Sequence, residues 1–168
     1  WSIFRDGFHY CAVHLQDIAE TARDVDLAIR WGFGWQQGPF ELWQAAGWKQ
    51  VAQWIKEDIE AGKALSSAPL PAWVFDGREG VHTPQGSWSP AQNANVPRND
   101  LPVYQRQPFR EDVLGSGAAD PKTAGETVFE DESIRLWSLD GEVLIASLKT
   151  KMHVIGDGVT AGLLKGVQ

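Results

Sequence analysis

The sequence predicts an α+β fold: a helical first part, an irregular middle and a strand-and-helix end. Three observations predict it. Apolar residues recur at spacings of three and four through the first sixty positions. Eight of the nine prolines fall between Pro69 and Pro121, which denies that stretch long regular elements. The last forty residues carry an alternating apolar run, an Asp-Gly turn signal and a second apolar run.

The elements follow in order. Phe4, Phe8, Cys11, Ala12, Leu15, Ile18, Ala19 and Ala22 share one helical face, so the spacing predicts a helix over residues 2–22. Asp24 suits the N-cap of a second helix carrying Val25, Leu27, Ala28 and Trp31, ended by Gly32 and Gly34. Pro39 fits the first turn of a third helix, Phe40 to Ala46, stopped by Gly47. A fourth runs from Lys49 to Ala61 with Val51, Trp54, Ile55 and Ile59 inward. In the middle, Trp73-Val-Phe75, Asp76-Gly77 and Val81 predict a hairpin, and Leu101–Gln105 an edge strand. Near the end, Ile134–Leu139 and Val143–Leu148 flank Asp140-Gly141 as a second hairpin, and Asp157 caps a last helix through Val159, Leu163, Leu164 and Val167.

Composition narrows the functions. The 168 residues carry a formal charge of −7, and no third of the chain is basic, which argues against generic phosphate-backbone binding to nucleic acid. At 22% charged residues and without a long apolar run, the chain reads as globular and without a membrane span. Cys11 is the lone cysteine, so no internal disulfide exists and a reducing compartment, the cytoplasm, is expected. The chain opens on Trp1 and stops inside a predicted helix, so a piece of a longer polypeptide is expected. Nine tryptophans, six of them in the first 54 residues, point to a structure built around aromatic rings.

Motifs that carry chemistry are sparse. Gly32-x-Gly34-x-x-x-Gly38 and Gly156-x-Gly158-x-x-x-Gly162 both miss the dinucleotide-loop spacing and read as turns that need positive φ. His9 and His14 are five apart and diverge on a helix, His82 and His153 stand alone, and one cysteine excludes a thiolate zinc cluster, so no metal site is expected. Neither a nucleophile elbow nor a Cys-His pair with an orienting group nearby is present. Asp26 lies in a first helical turn, where the helix dipole favours its charge; a catalytic carboxylate is the alternative reading. The tryptophans read as core or interface, with a sugar-stacking platform as the alternative. The residues alone assign no catalytic, cofactor-binding or metal-binding group.

One stretch says more. Asp24-Val-Asp-Leu-Ala-Ile-Arg-Trp-Gly-Phe-Gly-Trp35, continuing Gln-Gln-Gly-Pro-Phe-Glu-Leu-Trp43, resembles the C-terminal helical domain of 3-hydroxyacyl-CoA dehydrogenases. Asp24, Asp26, Ala28, Gly32, Gly34, Gly38, Pro39, Phe40, Leu42 and Gly47 fit that family's pattern, and the match spans residues 1–62. Arg30-Trp-Gly-Phe-Gly-Trp resembles the second, degenerate copy of that domain in long bacterial fatty-acid oxidation enzymes. Val143–Gly156 and the helix after it are similar to the opening of the crotonase, or enoyl-CoA hydratase, fold, with His153 where that family has Asn.

The resemblance implies three regions: 1–62, a helical subdomain like the C-terminal domain of 6-phosphogluconate dehydrogenase; 63–125, a Pro-rich connection with short strands; and 126–168, a truncated crotonase-like start. It implies a parent oxidoreductase of β-oxidation, using NAD on an acyl-CoA, with enoyl-CoA hydration elsewhere in its chain. The catalytic His and Glu and the nucleotide loop of that family fall outside these residues, so the piece is expected to be structural and inactive alone, with no cofactor of its own. Gly38, Pro39 and Phe40 match the family's domain-interface turn and are expected to be substrate-proximal or interfacial. A non-catalytic scaffold that forms homo-oligomers through its aromatic faces is the alternative.

Overall fold

The four predicted helices form as α1 (Ser2–Ile18), α2 (Ala22–Phe33), α3 (Pro39–Ala45) and α4 (Trp48–Glu60). They belong to a computed structural model that describes residues 1–106, 112–114 and 123–167. Pro108 and Pro121 of the Pro-rich segment lie outside the described residues. The fold is mixed α+β, with six helices and two small antiparallel sheets among the described residues. The chain divides into two units, Trp1–Ala118 and Ala119–Gln168.

In the first unit, α1 buries Phe8, Cys11, Ala12 and Leu15, the face its periodicity defines. It stops four residues before the predicted end because Ala19 is extended and Thr21 starts the next helix. Thr21, not Asp24, is the N-cap. Asp24 sits three residues on and accepts from the Thr21 N–H and hydroxyl, both at 2.9 Å, because its carboxylate reaches back to the donors the helix leaves open. Gly34, with φ +68°, closes α2 in a left-handed conformation open to glycine at little cost.

The middle segment departs most from expectation. Ala72–Phe75 is a single 3₁₀ turn rather than a strand, set up by Pro71. Three very short strands follow, β1 (His82–Thr83), β2 (Gly86–Ser89) and β3 (Ala94–Val96), paired antiparallel in that order with His82 opposite Ser87. The predicted edge strand at Leu101–Gln105 is instead the short helix α5 (Pro102–Gln105), since Pro102 fixes a helical φ at the first position.

One core joins the helices to this segment. Phe8 stacks on Trp43 at 5.6 Å, Trp43 on Trp48 at 4.2 Å, Trp48 on Trp73 at 6.1 Å, and Trp73 meets Trp88 at 6.1 Å. Two of the buried indole donors are matched: Trp43 Nε1 donates to the Trp48 carbonyl and Trp48 Nε1 to the Val74 carbonyl, both at 3.0 Å, while the buried Trp88 Nε1 has no hydrogen-bond partner among the described residues. Val74, Val81 and Trp88 therefore bury in the same cluster as Leu15, Phe40 and Ile55.

The second unit is a three-stranded antiparallel sheet, β4 (Glu126–Glu130), β5 (Ile134–Ser138) and β6 (Ile145–Leu148), with β5 central. The predicted hairpin forms around Gly141, at φ +82°, with Trp137 opposite Ile145. Helix α6 (Asp157–Lys165) adds Val159 to a core with Ile134 and Leu136. Gly156, Gly158 and Gly162 do not supply the positive φ expected of them. A Cβ on Gly162 would lie 2.2 Å from Ile134 Cγ2, and one on Gly158 2.4 Å from Ser133 Oγ, so both permit close approach of helix to neighbour. Among the described residues, no helix is long and apolar enough to cross a membrane.

Candidate functional site

The densest polar cluster of the first unit centres on Asp26. It lies one turn into α2, where Thr21 and Asp24 have already set the helix start, and its side chain faces the first turn of α3. The Phe40 N–H donates to Asp26 Oδ1 at 2.8 Å and the Glu41 N–H to Oδ2 at 3.2 Å, so Asp26 caps a helix it does not belong to. Gly38 makes that approach feasible: a Cβ there would fall 2.3 Å from Asp26 Cα. Pro39 offers no N–H and supplies the helical φ. Glu41 turns back to accept from the Gly38 N–H at 2.7 Å and also receives the Leu114 N–H at 2.8 Å.

Strand β1 adds a histidine. His82 Nε2 lies 2.5 Å from Asp26 Oδ2, and Nδ1 lies 2.8 Å from Ser87 Oγ. Gln44 fixes the backbone around it, accepting from the Val81 and His82 N–H groups and donating to the His82 carbonyl. Burial pushes the Asp26 carboxyl above its ordinary value, opposed by the bond to His82 and the Phe40 N–H. Burial, then the Asp26 charge, pushes the Cys11 thiol up to about 12, so it is no nucleophile at neutral pH.

A serine, a histidine and a carboxylate in line resemble a hydrolytic relay, but burial decides against that chemistry. Asp26 and Ser87 are fully shielded and His82 is 2% exposed, so no substrate carbonyl reaches the hydroxyl. What the relay does is join α2, the start of α3 and the β1–β2 hairpin through one hub.

The motif residues have definite places. Phe40 is fully buried against Trp43, and Pro39 and Gly38 are buried, all at the Asp26 cap. Trp43 and Trp48 are core, whereas Trp31 is 64% and Trp35 47% exposed, so the core reading holds for the first two and not for Trp31 and Trp35. Trp54 is also exposed and meets Trp1 edge-on at 5.9 Å. His9 packs inward with Nε2 2.7 Å from the Ala68 carbonyl; His14 faces Asp17 and Tyr10 on the outer side. His153 is exposed at φ +53°. Among the described residues no three His, Cys, Asp or Glu side chains converge as metal ligands. Nor do the glycines fit NAD: Gly158 and Gly162 face Ser133 and Ile134, so no step is routed through that cofactor here.

A second polar feature borders an open cleft of about 890 Å³ between α2 and the segment after β3. Arg23 and Arg98 line it, with Trp31 and Tyr104 as aromatic walls. Arg23 Nε stands 3.4 Å and Arg98 Nη1 3.9 Å from Asp112 Oδ1. Arg30 donates to the Asp112 carbonyl at 3.0 Å and Val113 is buried, so this tripeptide is pinned to the helices.

Sequence reasoning missed His82, Ser87 and Gln44 because they lie 18 to 61 residues from Asp26 with no spacing rule to link them. The available signal was Gly38-Pro39-Phe40, whose missing Cβ and missing N–H announce that something packs on that helix start.

The chain is 40% identical over all 168 residues to a probable 3-hydroxyacyl-CoA dehydrogenase of Bacillus subtilis (strain 168). It spans about a fifth of that protein's length: 100% of this chain aligns with 20% of the relative. No family model matches the chain, and no solved structure matches it.

Proposed function

We propose that this chain is part of a longer cytoplasmic 3-hydroxyacyl-CoA dehydrogenase of fatty-acid β-oxidation, which oxidises its acyl-CoA substrate with NAD, and that it supplies packing and interface rather than reacting groups. The observation that carries this reading is the 40% identity along the entire chain to a protein bearing that name. In this reading residues 1–62 are a helical domain of the 6-phosphogluconate-dehydrogenase type. The hairpin and α6 open a hydratase domain of crotonase type. Gly38, Pro39 and Phe40 take the domain-interface role, and the burial of Phe40 favours packing over direct contact with a small substrate.

The closure of the Asp26–His82–Ser87 hub supports a structural role, because a reacting group must meet substrate. NADH formation tests the reading: a 3-hydroxyacyl-CoA and NAD are supplied to the complete gene product and to the 168-residue chain. The complete product is expected to turn over and the chain to show none; turnover by the chain sinks the assignment. The scaffold reading draws on one observation, the exposed Trp31, Phe33 and Trp35 around the end of α2. Light scattering distinguishes it, since a scaffold of this kind self-associates as concentration rises.

A further inference from the structure

Residues 112–114 belong to no helix or strand, yet α2 and α3 receive four of the groups they carry. Arg30 Nη1 donates to the Asp112 carbonyl at 3.0 Å, and the Leu114 N–H donates to Glu41 Oε1 at 2.8 Å, partners 82 and 73 residues away in sequence. The Val113 side chain is buried, and the Asp112 carboxylate faces Arg23. Main chain held at both ends, with a side chain pocketed between, is how a receptor reads an extended peptide. The receiving groups are set by contacts of their own. Glu41 is buried, and its other oxygen accepts from the Gly38 N–H at 2.7 Å, closing the first turn of α3. Arg30 also reaches Glu41 Oε1, at 3.4 Å.

The fit is incomplete at one point. Arg23 is 6% exposed, and its Nε makes no hydrogen bond. Asp112 Oδ1 already accepts from the Val113 N–H at 2.9 Å, a local bond that the short aspartate side chain favours, and it stops 3.4 Å from that Nε. Arg98 Nη1 stands farther from the same oxygen, at 3.9 Å. A buried donor left unmatched is costly, so a ligand that brings an acceptor to it is held better than the chain's own segment. A glutamate in place of Asp112 has one more methylene of reach and no such local bond. We propose that this face of α2 and the start of α3 is a peptide-recognition site, occupied in the structure by the chain's own residues 112–114 and open to exchange for an extended peptide with an acidic residue before a branched apolar one.

Calorimetric titration with two end-capped peptides, Gly-Asp-Val-Leu-Gly and Gly-Glu-Val-Leu-Gly, tests it on the 168-residue chain and on Val113→Asp, whose buried charge drives the internal segment out. Saturable binding to Val113→Asp is expected, about tenfold or more tighter than to the wild type, where the tethered segment competes. The glutamate peptide is expected to bind several-fold tighter than the aspartate one. Arg30→Gln in the Val113→Asp background is expected to weaken both about tenfold, through the lost bond to the peptide carbonyl. A segment that is only part of the core gives none of these results. No saturable binding to a folded Val113→Asp, equal affinity in the wild type, no gain from glutamate, or unchanged affinity in Arg30→Gln overturns the proposal. Should Val113→Asp fail to fold, the wild type decides: with the glutamate peptide in excess, the Leu114 amide is expected to lose its protection from hydrogen exchange, and retained protection overturns the proposal. Binding is read on this chain directly, so the outcome does not depend on the dehydrogenase assignment.

Discussion

Asp26 shows how one buried carboxylate organises its surroundings: it ends two helical N–H groups, holds an imidazole and is approachable only because residue 38 lacks a side chain. His82→Gln removes the partner of that buried group. It is expected to lower stability by about 3 kcal/mol in urea unfolding, the usual cost of orphaning a buried charge. The pH dependence has a definite sign. Asp26 holds its proton to higher pH in the fold than in the unfolded chain, so ionising it opposes folding. That opposition is absent below the ordinary value of 3.8 and grows as pH rises from there through the raised folded value. Stability of the wild type relative to Asp26→Asn is therefore expected to fall from pH ~4 toward neutrality, and a rise would contradict the assignment. Asp6 and Asp58 have the opposite sign. Asp6 is held low by Arg5, and Asp58 by the Trp1 indole and Arg5, so their contribution is lost as pH drops below the normal carboxylate range.

Among the elements, legibility followed length and periodicity. Helices α1 to α4 repeat apolar residues over two to five turns, and that pattern survives into the fold because a single buried face is what each helix contributes. The hairpin of β5 and β6 was legible for the same reason, an alternating run beside an Asp-Gly turn. Strands β1 to β3 were not. They are two to four residues each, too short to show alternation, and their order comes from pairing and from the bond of His82 to Asp26. The Trp73–Phe75 run failed differently: β-rich residues follow Pro71, and the chain turns them into the aromatic stack instead. Helix α6 offers an element-level test. Gly162→Ala places a methyl group against buried Ile134. It is expected to lower the stability of the second unit by about 1–3 kcal/mol, measured by loss of β-sheet circular dichroism in denaturant. An unchanged midpoint would show that α6 does not rest on β5.

At the level of the whole molecule, the two units hold separate cores, one built on five stacked aromatic side chains and one on Ile134, Leu136 and Val159. Trp43→Ala is expected to cost the first unit about 3–5 kcal/mol and to leave the unfolding of the second unit unmoved, followed by hydrogen exchange of the β5 amides against those of α1 and α4. A joint shift would show one cooperative body. The candidate site was only half legible for a related reason. Asp26 and Gly38-Pro39-Phe40 stood out, but their partners come from strands that exist through tertiary contact. On the function proposed above, this chain supports a 3-hydroxyacyl-CoA dehydrogenase without reacting itself. The most direct measurement is 3-hydroxyacyl-CoA-dependent NADH formation by the complete gene product, compared between wild type, His82→Gln and Ser87→Ala. Wild-type turnover with both variants keeping kcat, at a lowered unfolding temperature for His82→Gln, is the predicted result. Absence of turnover in the wild type, or loss of kcat in a variant that remains folded, would contradict it.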